Sequence, residues 1–119
     1  MKAVVLSPDL MISVRIADAA ERAGVEAVRV DDPADLPSAA GVAVLFVDWA
    51  ARASDWSQTL TAWRASAIRA PRVILFGSHL DLDAHSDAKR SGLGPMWARS
   101  KLVADLPKLF PAAVAATED

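Results

Sequence analysis

The carboxylate of Asp48 is the side chain in this sequence that is best placed to do chemistry. It directly follows the apolar segment Val42-Ala-Val-Leu-Phe-Val47, a pattern typical of a strand buried on both faces. Open parallel sheets place their sites at the carboxyl ends of the strands. There, Asp48 could act as a nucleophile, cap the following loop, or pair with a cation such as Arg99. Trp49 would lie at the mouth of this site, either as a lid over the core or, if exposed, as a partner surface.

The segment 78–87 is a second candidate because it is dense in possible metal ligands. His79, Asp83 and His85 carry the imidazole and carboxylate groups that suit zinc or a non-haem metal. They would make the protein a small-ligand or metal-dependent enzyme that works at the edge of the sheet. Asp81 or Asp83 is also explained as a helix N-cap, since acids in a first turn complement the helix dipole.

The elements that must position these residues follow from the spacing of apolar residues. Five apolar segments are predicted to be strands, at 3–6, 26–30, 42–48, 72–77 and 96–99. Helical patterns alternate with them, but 34–41 has room for two turns at most, at about 3.6 residues a turn, so its helix is stunted or absent. The alternation predicts an α/β fold of three layers. Its five-stranded parallel sheet would have the flavodoxin-like order 2-1-3-4-5.

Prolines and capping residues indicate where two of the helices begin and end. Ser7 is a possible N-cap for the first helix, with Pro8 in the first helical position. The last helix is predicted to begin at Ser100. Pro107 fits its first turn, and Pro111 is expected to kink or end it.

Composition narrows the class of protein. With 119 residues, 53% of them hydrophobic, the chain is long enough to form one domain, 1–119, with a substantial core. Its net charge is −2 and its 13 basic residues are dispersed, so nothing favours a nucleic-acid partner. It has no cysteine, and no segment approaches the roughly 18 apolar residues of a membrane span. We therefore expect a cytoplasmic protein that does not engage a membrane.

Three segments resemble the response-regulator receiver domains, a family of phosphorylatable signalling domains that is also called CheY-like. Arg22-Ala-Gly-Val-Glu26 resembles the junction of the family's first helix and second strand. The segment 42–48 resembles its third strand, which ends on the phosphoaccepting aspartate. Ser91-Gly-Leu-Gly-Pro-Met-Trp-Ala-Arg-Ser100 resembles the passage through the fifth strand into the last helix. The resemblance covers nearly the whole chain.

The chemistry that this resemblance implies depends on five side chains. An acid pair after strand one binds Mg²⁺, an aspartate after strand three is the nucleophile, and a Thr or Ser and a Lys follow strands four and five. An aspartate attacks an anionic phosphodonor only when a divalent cation and a lysine neutralise the developing charge. Here Asp48 matches the nucleophile, but the acid pair falls on Ser7 and Pro8, with Asp9 one residue further on.

The remaining two positions of the family's pattern also differ. The Thr or Ser position falls on Gly77 or Ser78, and the Lys position falls on Arg99, followed by Ser100 in place of proline. Lys101 is near but out of register. With one or two acids, Mg²⁺ would be held weakly, because it prefers near-octahedral oxygen ligation. The resemblance therefore implies a degenerate receiver, or pseudo-receiver, that kept the fold and lost most of the phosphorylation chemistry.

The predicted function is a stand-alone protein-interaction or signalling module without enzymatic activity and without a cofactor. An atypical phosphoreceiver that uses Asp48 and Mg²⁺, and the enzyme described above, are the alternatives. In receivers, the face made by helix four, strand five and helix five contacts partners. We predict a homodimer or a protein partner on that face, through the apolar residues of the last helix: Leu102, Leu106, Leu109 and Phe110. The predicted pocket residues are Ser7, Asp9, Asp48, Trp49, Ser78 and Arg99.

Overall fold

The structure, a computed structural model, describes residues 1–118, with side chains described as far as Phe110. Within these residues, five strands alternate with four α-helices. They are β1 (Lys2–Leu6), α1 (Leu10–Arg22), β2 (Glu26–Val30), β3 (Val42–Asp48), α2 (Trp56–Ala65), β4 (Arg72–Gly77), α3 (Leu82–Ser91), β5 (Met96–Ala98) and α4 (Arg99–Glu118). No helix in this part of the chain is long and apolar enough to cross a membrane.

The five strands form one parallel sheet in the order β2-β1-β3-β4-β5. This confirms the predicted fold class and the flavodoxin-like strand order. Strand β3 lies at the centre and is buried along its whole length, because apolar layers cover both of its faces. The register sets Leu6 beside Val47 and Asp48 beside Phe76. The residues that follow β1, β3 and β4 therefore meet at one edge.

No α-helix forms between β2 and β3, as the sequence predicted. Two single 3₁₀ turns, Pro33–Asp35 and Ala39–Gly41, take its place. Asp32 begins the first turn by accepting a hydrogen bond from the backbone N–H of Ala34 at 2.8 Å. The segment is tied to α2 because Trp63 Nε1 donates to the carbonyl of Pro37 at 2.8 Å.

Helix α1 begins later than the sequence predicted. Its N-cap is Asp9, whose Oδ1 accepts from the backbone N–H groups of Met11 at 3.0 Å and Ile12 at 3.4 Å. The prediction that Ser7 caps this helix was therefore wrong by two residues. The Ser7 hydroxyl is used differently, since it accepts from the N–H of Asp9 and donates to Asp48.

Helix α4 also departs from the prediction, because it runs through both of its prolines to Glu118. Pro107 lies in the helix interior rather than in the first turn. A proline there leaves the carbonyl four residues earlier, that of Val103, without its helical partner. Burial of the apolar side of α4 against the sheet outweighs this local cost. The positions of the prolines in the sequence do not reveal that burial.

The apolar residues of α4 face the core instead of forming a contact surface. Each of the four predicted interface residues is at most 6% exposed: Leu102, Leu106, Leu109 and Phe110. The rings of Phe46 and Phe110 lie 5.7 Å apart, centroid to centroid. The prediction that these side chains contact a partner was wrong, because α4 packs on α1 and on three strands and needs a wide apolar stripe to do so.

Replacing Phe110 by alanine tests this correction. We expect the free energy of unfolding to fall by about 3–5 kcal/mol, the usual cost of emptying a buried aromatic site. Urea denaturation measures it. Leu82→Ala is the control, since Leu82 is 74% exposed and its removal should change stability by no more than about 0.5 kcal/mol. Unchanged stability in Phe110→Ala, together with an altered oligomeric state, would contradict the structure.

Candidate functional site

Four polar side chains meet at the carboxyl edge of the sheet. Ser7 follows β1, Asp9 caps α1, Asp48 ends β3 and Arg99 begins α4 directly after β5. Strand β4 separates β3 from β5, so Arg99 must reach across it. Its guanidinium does so 5.9 Å from the ring centroid of Phe76, which lies near the end of β4.

Asp48 is the buried acid of the site, with a side chain only 3% exposed. Its Oδ2 accepts hydrogen bonds from Ser7 Oγ at 3.0 Å and from Arg99 Nη2 at 3.4 Å. Its Oδ1 is buried and has no hydrogen-bond partner within the described residues. A buried carboxylate is costly unless it is paired, so the contacts to Ser7 and Arg99 are what stabilise Asp48 in this position.

Arg99 divides its guanidinium between two carboxylates. Nη1 lies 2.8 Å from Asp9 Oδ2, while Nη2 points to Asp48. The side chains of Arg99 and Asp9 are 42% and 31% exposed, so water weakens the outer pair more than the inner one. Planar guanidinium geometry suits this double contact, which the point charge of a lysine would not reproduce.

The pKa of Asp9 lies below its ordinary value of 3.8, chiefly because its carboxylate accepts the backbone N–H of Ile12. Arg99 and the N–H of Met11 lower the pKa further, while partial loss of hydration acts against them. The ionised form is therefore favoured by folding. Asp9 contributes its full stability above pH 3.8 and loses it as the pH falls through the folded-state pKa.

The last residue of β4 and the residue that follows it bring no side chain to the site. Ser78 is exposed, and its Oγ accepts from the N–H of Leu80 at 3.2 Å, within its own turn. Gly77 is buried, and a Cβ placed there would lie 2.8 Å from Met96 Sδ. A threonine at 77 would thus require Met96 to move. Ser78, predicted as a pocket residue, does not join the other four.

Trp49 is fully buried and belongs to the core layer under α2 and α3. It acts as a lid over the core and is not a partner surface. Arg52 stacks 5.4 Å from its ring, donates to the Trp49 carbonyl at 2.9 Å and pairs through Nε with Asp87 Oδ2 at 2.6 Å. This link from the Asp48 loop to α3 was missed by sequence reasoning, because the two residues lie 35 positions apart and only the fold joins them.

The histidines and acids of the segment 78–87 do not form a metal centre. In the described part of the chain, no three His, Asp or Glu side chains are grouped to hold a metal ion. His79 and Asp83 are exposed, and His85 is half-buried. Asp81 caps α3 by accepting the N–H of Ala84 at 3.0 Å, which is the structural role that first-turn acids commonly have.

The variant Asp9→Asn tests the charge of this site, because asparagine can still cap α1 but cannot pair with Arg99. We expect wild type to be more stable than the variant well above pH 3.8, and this difference to disappear as the pH falls below the folded-state pKa. Urea midpoints at several pH values measure it. Asp18→Asn, an exposed acid on α1, is the control. A difference that does not change with pH would refute the role of the charge.

No protein-family model matches this sequence, and no curated protein matches it. Solved structures do match. NtrX from Brucella abortus, in complex with ADP, superposes with a TM-score of 0.73 at 15% identity over 98% of this chain and 26% of that one. The chain therefore spans about a quarter of the length of NtrX.

Two shorter chains also match over most of their length. An adenylate cyclase from Rhodopirellula baltica has a TM-score of 0.70 at 10% identity, covering 98% of this chain and 89% of that one. ShkA Rec1, in complex with c-di-GMP, has a TM-score of 0.54 at 20% identity, covering 88% and 89%. Identities this low show the fold alone. The neighbours include receiver domains, and this chain has the fold of a response-regulator receiver.

Proposed function

We propose that this protein is a pseudo-receiver, a receiver fold that serves as a protein-interaction or signalling module and does not carry out phosphotransfer. The observation that carries the proposal is the contact between Arg99 and the candidate nucleophile. Arg99 Nη2 lies 3.4 Å from Asp48 Oδ2. The guanidinium thus already contacts one oxygen of the carboxylate, and Asp9 holds the other end of the guanidinium in place.

The groups around Asp48 do not fit a Mg²⁺ ion. Ser7 offers a hydroxyl that already donates to Asp48, and Pro8 offers no side-chain ligand. The two oxygens of Asp9 are used by the first turn of α1 and by Arg99. Mg²⁺ prefers near-octahedral oxygen ligation from groups such as carboxylates and water, and both carboxylates here are committed to a cation that the chain itself supplies.

The atypical phosphoreceiver keeps one observation in its favour. Oδ1 of Asp48 makes no hydrogen bond within the described residues, so this oxygen is the one that could attack a phosphodonor. For that reaction Arg99 would have to release Asp48 and the donor would have to reach a side chain that is only 3% exposed. The metal-dependent enzyme has less support. His79 and Asp83 are exposed, and they do not belong to the group formed by Ser7, Asp9, Asp48 and Arg99.

Incubation with acetyl phosphate and Mg²⁺, followed by intact-protein mass measurement, tests the proposal. We expect wild type to gain no phosphoryl group, because Arg99 neutralises Asp48 and no cation site assembles beside it. Asp48→Asn, treated identically, shows the background. A stoichiometric phosphoryl gain in wild type that is absent from Asp48→Asn would overturn the proposal.

A variant that restores the family's residues makes the same test sharper. Combining Ser7→Asp, Pro8→Asp and Arg99→Lys supplies an acid pair and a lysine around the unchanged Asp48. We expect a larger fraction of this variant than of wild type to be phosphorylated under the same conditions. Equal and complete labelling of both proteins would show that Arg99 and Ser7 do not prevent the reaction. Circular dichroism is used to check that the variant is folded.

A further inference from the structure

We infer that the outer side of α4 and the neighbouring edge of the sheet bind an acidic segment of a partner protein. The surface is formed by Arg72, Trp97, Lys101 and Lys108, and it is called the cationic face below. The inference rests on the proposed role as an interaction module and identifies the chemistry of the partner. It also replaces the predicted apolar interface, whose side chains are buried in the core.

Trp97 is the centre of the cationic face. This half-buried side chain lies on β5, the edge strand, and packs against the core under α4. Two cations approach its ring: Lys101 Nζ at 4.6 Å and Arg72 Cζ at 5.9 Å from the centroid. The electron-rich face of an indole attracts each cation. Trp97 thereby favours the placement of two cations, one from β4 and one from α4, around a single ring.

The positive charge of the cationic face is only partly balanced by the protein's own acids. Lys101 pairs with Asp105 at 3.0 Å. Among the residues whose side chains are described, Arg72 and Lys108 make no ion pair, and both are exposed. Lys108 follows Lys101 by seven residues on α4, which places it on the same side of the helix and about 10 Å along the axis.

A row of cations with this spacing complements carboxylates that repeat along a peptide. The whole chain has a net charge of −2, so its overall electric field does not attract an acidic partner. Binding would have to come from the local face. A symmetric dimer through this face is disfavoured, because two cationic faces would repel each other and the apolar residues of α4 are not available.

Fluorescence anisotropy with a fluorescein-labelled polyglutamate peptide tests the inference. We expect the full-length wild-type protein to bind this probe at low ionic strength and to release it as salt is added. The double variant Arg72→Gln/Lys108→Gln should bind roughly tenfold more weakly, since it removes two of the three cations that face the peptide. Both residues are exposed, so the variant is expected to fold.

The matched control is Arg15→Gln/Arg22→Gln, which removes the same charge from exposed positions on α1. It should bind the peptide as wild type does. Equal weakening in both double variants, or no binding by wild type, would overturn the inference. Tighter binding of a short oligonucleotide than of the peptide would also overturn it. So would a wild-type dimer that dissociates when the peptide is added.

This experiment is independent of the phosphorylation test. Peptide binding is measured without a phosphodonor or Mg²⁺, and the variants that test it lie outside the Asp48 site, so either experiment can fail alone. A phosphoryl gain by wild type would remove the pseudo-receiver proposal and leave the cationic face untouched. Loss of peptide binding in Asp48→Asn but not in Arg72→Gln/Lys108→Gln would refute the inference. It would show that the peptide depends on the Asp48 site and not on the cationic face.

Discussion

The charge balance at the carboxyl edge of the sheet depends on one guanidinium. Arg99 contacts Asp48 at the end of β3 and Asp9 at the start of α1, and it is itself the first residue of α4. A carboxylate as buried as Asp48 needs a cation or several hydrogen bonds to remain in place. The protein supplies both from its own chain, and through these contacts Arg99 joins β3, α1 and α4 at one edge.

The fold of this protein does not depend on which polar side chains stand at the carboxyl edge of the sheet. Apolar layers on both faces of β3 stabilise the sheet whatever residues stand at its edge, so the edge can change without loss of the fold. Ser7 and Arg99 supply hydrogen bonds to Asp48, at positions where the resemblance to receivers leads one to expect a metal-binding acid and a lysine. In the function proposed above, this edge does not react and the outer side of α4 carries the contact to a partner.

Sequence reasoning succeeded where burial decides the outcome. The unbroken apolar segments of β3 and β4 identified the central strands, and the alternation with helical patterns gave the strand order. It failed where a side chain has a distant partner. Ser7 reads as a helix cap, but its hydroxyl bonds to Asp48, 41 positions away. The apolar residues of α4 read as an interface because the sequence does not show how many elements that helix covers.

The most direct test of the central claim is a Mg²⁺ titration followed by backbone amide NMR of wild type and Arg99→Ala. If Arg99 takes the place of a metal ion, the amide signals of Ser7, Asp9, Asp48 and Trp49 should not shift in wild type. The same signals should shift in Arg99→Ala, where two carboxylates are released at one edge. Saturable shifts centred on Asp48 in wild type would contradict the account.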